Sequence, residues 1–162
     1  MKQRIAVLLM LGSMPWAELH AQAQETSTTF VVKARVQAVC SVSANDLDFG
    51  TYSQTAGTNG TTQLRAVCSP QTTYNIGLNQ GTTGASINQR QMKLAAGANV
   101  LNYQLYTNAQ RSTIWGNTPG TDTVTGVGTG LAQDHTVFGA IPGAQTIPAG
   151  DYADTITVRI FF

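Results

Sequence analysis

Beyond Ala23 the chain alternates apolar and polar positions over short runs, and nowhere repeats apolar residues at helical spacing for three turns. That period of two predicts strands at Thr28–Val42, Leu47–Tyr52, Thr62–Ser69, Thr73–Asn79, Gln91–Leu94, Val100–Thr107, His135–Ile141 and Tyr152–Phe162. Turn-rich segments such as "TAGTNG", "NQGTTG", "AAGAN" and "IPGAQTIPAGD" separate them. Seven or eight short strands at this spacing predict an all-β sandwich of immunoglobulin type. The stretch Gly116–Gly130, rich in Gly and Thr, reads as a long surface connection or irregular hairpin whose strands the pattern does not place, and Trp115 before it reads as a core plug.

Both ends of the pattern depart from a closed sandwich. In "ADTITVRIFF" the apolar residues Ile156, Val158, Ile160 and Phe162 alternate with Thr155, Thr157, Arg159 and Phe161, and the sequence stops there, which predicts an edge strand without a successor. At the other end, Gln24–Val42 contains no Gly or Pro, and Phe30, Val32, Ala34, Val36, Ala38 and Cys40 share one face. Fully extended, that segment would reach about 60 Å, more than one sandwich is tall, so it must bend or leave the domain.

The first residues change the compartment. Lys2 and Arg4, the apolar run Ile5–Met14 and the small-x-small site Ala21-Gln22-Ala23 have the form of a secretory signal, with cleavage expected after Ala23. The apolar run is too short for a membrane anchor. Losing Lys2, Arg4 and Glu18 takes the basic count from 9 to 7 and the acidic count from 8 to 7, so the exported chain is formally neutral. It has no basic run for nucleic acid or anionic lipid. Two cysteines, Cys40 and Cys68, remain in an oxidising compartment and are expected to pair.

Candidate chemistry is sparse, and neither catalytic nor cofactor or metal sites are assigned. His135 is the single histidine after the signal and no Gly-x-Ser-x-Gly elbow accompanies it. The loop "GVGTGL" (Gly126–Leu131) lacks the glycine spacing and following helix of a dinucleotide site. Asp46 with Asp48, and Asp151 with Asp154, flank turns, where Asp bonds backbone amides. No Cys-x-x-Cys is present.

An ordered set of motifs, "CSV" at Cys40, "LDFGTY" (Leu47–Tyr52), "CSPQTTYNIGLNQG" (Cys68–Gly81), "RQM" with Arg90 and Met92, "LNYQLY" (Leu101–Tyr106), Trp115-Gly116 and "GDYADTITVRI", resembles the spore coat protein U domain family, which includes subunits of archaic chaperone-usher pili. The resemblance implies an incomplete immunoglobulin-like sandwich lacking its final strand. The apolar groove would be lined by Ile156, Val158, Ile160 and Phe162. A donor strand from another subunit, carrying Phe30, Val32 and Ala34, would fill it. On that basis residues 24–35 are the donor extension and 36–162 the sandwich domain. The implied partners are a periplasmic chaperone, an outer-membrane usher and further pilin subunits in a head-to-tail polymer at the cell surface, serving attachment and biofilm growth. A spore coat or other surface layer is an alternative setting, and a monomeric secreted carbohydrate-binding or adhesive module an alternative function.

Overall fold

The computed structural model describes residues 23–162; the signal peptide expected at 1–23 lies, apart from its last residue, outside the described residues. The chain divides into two units, Met1–Arg35 and Val36–Phe162. In the first, residues 23–35 form no strand and are exposed, Phe30 at 85%.

The second unit holds nine strands: β1 (Cys40–Ala44), β2 (Thr58–Cys68), β3 (Thr73–Leu78), β4 (Arg90–Leu94), β5 (Val100–Tyr106), β6 (Val124–Val127), β7 (Ala132–Ile141), β8 (Tyr152–Ala153) and β9 (Val158–Phe161). They make two sheets, one in the order β1-β2-β7-β5-β4-β8 and one in the order β6-β3-β9, with every pairing antiparallel. Alternation places Leu64, Ala66 and Cys68 of β2, Tyr74, Ile76 and Leu78 of β3, and Leu101, Tyr103 and Leu105 of β5 in one buried core.

Three sequence expectations change. The run Thr28–Val42 is a strand only from Cys40, because an extended segment becomes a strand only where a second edge bonds it, and β2 begins that bonding at the Cys40↔Cys68 pair. Leu47–Tyr52 forms no strand, although Leu47, Phe49 and Tyr52 pack on the core. Tyr152–Phe162 is two strands in different sheets, broken at Asp154: its carboxylate accepts bonds from the Thr82 amide (2.8 Å), the Thr82 hydroxyl (2.7 Å), the Thr155 amide (2.8 Å) and the Tyr103 hydroxyl (2.6 Å). Those bonds hold residues 154–157 out of both ladders while the alternation of inward side chains runs on.

The Gly/Thr-rich connection contains β6, paired with the start of β3. Gly126 allows this, since a Cβ there would stand 2.4 Å from the Tyr74 ring. Trp115 is buried as expected and its indole Nε1 donates to Ile76 O at 2.7 Å.

A buried cation joins the sheets. The Arg90 guanidinium on β4 donates to Leu78 O (3.0 Å), Asn79 O (2.9 Å), Trp115 O (2.7 Å) and Gln104 Oε1 (2.5 Å). Burial pulls its pKa down to about 10, so it stays charged at neutral pH, held by neutral acceptors. Sequence reading marked Arg90 only as part of a motif; an Arg between strand-forming residues gives no sign of whether it points inward.

Candidate functional site

The two sheets leave an edge each on one side of the core. β9 pairs with β3 through Asn75↔Phe161, Ile76↔Ile160, Gly77↔Arg159 and Leu78↔Val158, and the pattern extends to a bond from Asn79 N to Thr157 O (3.2 Å). In an antiparallel ladder this parity turns the backbone groups of Thr157, Arg159 and Phe161 towards β3. Those of Ile156, Val158 and Ile160 face the other way, where no described strand pairs with β9.

The facing edge is β1 and the segment after it. β1 is in contact with β9, and its pairing with β2 ends at Ala44, followed by one further bond from Asn45 N to Gln63 O (3.1 Å). From there to Phe49 the segment is held by its side chains. Gly60 and Gly139 are directly paired across β2 and β7. A Cβ on Gly139 would lie 2.6 Å from the Phe49 ring and 2.7 Å from Leu47 Cδ2, and one on Gly60 would lie 3.0 Å from Leu47 Cδ1. The paired glycines thus make a seat for Leu47 and Phe49 that side chains of any size would fill.

Between these edges lies an open groove. One cavity of about 450 Å³ is lined by Leu47, Leu64, Leu78, Leu105, Ile156 and Val158 among others. A second, of about 580 Å³, continues past Phe49 and Tyr52 to Ile147 and Pro148. The two are neighbours that share Leu47, Phe49, Met92 and Tyr152 in their walls, and the first is the one that reaches β9. Asp154 and Tyr103 mark its polar side; burial and the bond to Asp154 push the Tyr103 phenol well above its ordinary pKa, which keeps it a donor at all physiological pH.

Of the residues named from sequence, Ile156 and Val158 line the groove, Ile160 packs half-buried on the core beside them, and Phe162 stands 61% exposed at the end of β9. Phe30, Val32 and Ala34 are exposed in the separate first unit. Cys40 and Cys68 form a disulfide, with Cα atoms 4.1 Å apart. Sequence reading missed the opposite wall, Leu47 and Phe49 on the Gly60–Gly139 seat; their alternation was visible, but not that it served packing without backbone pairing.

Candidate catalytic chemistry is absorbed into packing. His135 Nε2 bonds the Tyr74 hydroxyl at 2.9 Å with the rings edge to face. Burial lowers the His135 pKa, partly opposed by Asp134. Asp134 itself pairs with Arg65 across β2 and β7 on the exposed face (2.7 Å), and the Arg65 hydrogen bond lowers its pKa. Among the described residues no group of His, Cys, Asp and Glu is placed to hold a metal.

Two sheets, an edge strand β9 whose unpaired side opens onto a cavity lined by Ile156 and Val158, and a disulfide joining β1 to β2 define an incomplete immunoglobulin-like sandwich. The chain belongs to the spore coat protein U domain family, whose model matches residues 26–159. It is 32% identical over 158 residues to Protein U of Myxococcus xanthus, covering 88% of both chains. Among solved structures it is similar to a chain of the CsuC–CsuE chaperone–tip adhesion subunit pre-assembly complex from archaic chaperone-usher Csu pili of Acinetobacter baumannii. The likeness has a TM-score of 0.59 and 29% identity, over 78% of this chain and 40% of that one. The protein is structural and not an enzyme.

Proposed function

We propose that this protein is a subunit of a chaperone-usher surface fibre, polymerised by strand exchange between copies. The observation that carries the reading is the open groove: Ile156, Val158 and Ile160 present backbone groups that no described strand bonds, beside a cavity that Ile156 and Val158 line, and residues 28–35 of the same chain form an exposed run of matching alternation. In this reading Phe30, Val32 and Ala34 of one copy enter the groove of the next, where each large apolar side chain contributes about 1–3 kcal/mol, offset in part by ordering the segment. A periplasmic chaperone occupies the groove first, and an outer-membrane usher exchanges it for the next subunit. The similarity to a chaperone–subunit complex supports the first of these partners. The fibre leads through the periplasm to the cell surface and serves attachment and biofilm growth.

The test compares residues 24–162 with the same chain carrying Thr26–Val36 after Phe162 through a flexible linker. The fused form is expected to be monomeric and to melt well above the unfused form, which is expected to polymerise. An unfused chain that is a stable monomer with the same melting temperature would instead make the protein a self-contained adhesive module. A second reading, a structural protein of a spore coat or other surface layer, rests on the description of the family; immunogold microscopy separates filaments from a continuous layer.

A further inference from the structure

The walls of the two cavities carry charge of one sign. Asp46 and Asp154 line the first and Asp48 and Asp151 the second, four of the six acidic residues in 36–162, whereas none of the five basic residues in that range lines either. Asp154 is taken up by Thr82, Thr155 and Tyr103. Asp46, Asp48 and Asp151 are exposed, and only one oxygen of Asp48 is engaged, accepting from Gly50 N at 2.7 Å.

The cations of the sandwich unit do not neutralise them. Arg65 pairs with Asp134, the one ion pair among the described residues. Arg90 is buried among neutral acceptors, and Arg111 donates to Gly139 O at 3.0 Å. Lys93 is exposed on β4 opposite Ala153, and Arg159 is exposed on β9 opposite Gly77. Residues 24–35 have the complementary charge: after Glu25 their charged residues are Lys33 and Arg35. In an extended strand both point away from the face of Phe30, Val32 and Ala34.

We infer that Asp46, Asp48 and Asp151 form an acidic rim that selects an incoming segment of another copy through Lys33 and Arg35, an inference that rests on the strand-exchange reading. The two directions of entry differ in charge. With Phe30, Val32 and Ala34 set against Ile160, Val158 and Ile156, Arg35 stands opposite Thr155, next to Asp154, and Lys33 opposite Thr157. With the segment reversed, Lys33 stands opposite Arg159, and like charges directly opposed weaken strand pairing. The apolar face fills the floor in either direction, so it is the cations that tell the ends of the groove apart. Exposed pairs of this kind act on the rate and selectivity of capture and weaken as salt is added.

The experiment uses the full-length chain exported and assembled by its own cells. Zero-length coupling of the fibres with a water-soluble carbodiimide is expected to leave multimers after heat denaturation, with Lys33 joined to Asp46, Asp48 or Asp151 of another copy. Lys33→Glu with Arg35→Glu is expected to lower fibre yield at least tenfold, as is Asp48→Lys with Asp151→Lys. A chain carrying all four changes should recover at least half of the wild-type yield. Wild-type fibres in which Lys33 couples elsewhere or not at all would overturn the acidic rim and leave strand exchange standing. So would charge-reversed pairs that assemble like wild type, or a fourfold variant no better than either pair. Coupling of Lys33 to these carboxylates only within single chains would show that each segment lies on its own groove, which also overturns it. A wild-type chain that never polymerises would remove both readings.

Discussion

The core of this sandwich is finished in two different ways. Around Arg90 every polar contact is internal: Leu78 O at the end of β3, Asn79 O just after it, Gln104 Oε1 of β5 and Trp115 O converge on one guanidinium, and the Trp115 indole donates to Ile76 O. Along β9 the same core runs out into an open groove, with one strand edge bonded by no described strand and the opposite wall held by two side chains on a glycine seat. The bolted part supplies cooperativity from within the chain, and the open part defers it to whatever supplies a strand. A sandwich can afford the second only because the first holds the sheets in register.

Changing the open part is expected to have the largest consequence. Val158→Asp puts a carboxylate in the middle of the apolar wall, at a cost of roughly 4 kcal/mol or more once a strand covers it. Fibre yield by electron microscopy should fall to background while the domain still exports, and normal fibres would break the contrast drawn here. In the bolted part, Arg90→Ala strands four buried acceptors and should cost about 3–5 kcal/mol in thermal unfolding of the strand-fused form. Reducing the Cys40–Cys68 bridge should cost roughly 2–5 kcal/mol by the same measurement, and free thiols in exported protein would refute the pairing. Tyr103→Phe, which removes the donor to Asp154 on the groove's polar side, should cost about 1.5–3 kcal/mol.

The smallest expected effect is a pH dependence. Because burial holds the folded His135 pKa below 6.5, the unfolded chain takes up a proton first as pH falls, so stability should decline below about pH 6.5. His135→Gln should flatten that slope. The Asp134 carboxylate, whose folded pKa is also depressed, acts only lower, near and below its ordinary 3.8.

The strands that the sequence made visible are those where alternation and pairing coincide: β3, β4 and β5 lie within a residue or so of the expected runs. Alternation alone misled at Tyr152–Phe162, because inward side chains keep their rhythm across the break at Asp154 although the backbone changes sheets. It also misled at Leu47–Tyr52, where the rhythm reports packing onto Gly60 and Gly139 without a ladder. β6 was hidden by composition: its four residues include Gly126, required by the Tyr74 ring. For the groove, one wall was legible as Ile156 and Val158, while the other depended on which glycines face each other across β2 and β7, a fact of register that no local pattern carries.

The disulfide has a mechanical meaning. A pull on residues 36–39 would reach β1 at its first residue, Cys40, and an edge strand pulled from its end peels away one bond at a time. The bridge to Cys68 carries that tension past β1 into β2, which is bonded to β7 from Thr58 to Val67 and lies inside the six-stranded sheet. Tension entering there must shear a long ladder instead of unzipping a short one, so the covalent link sits where the load would first arrive.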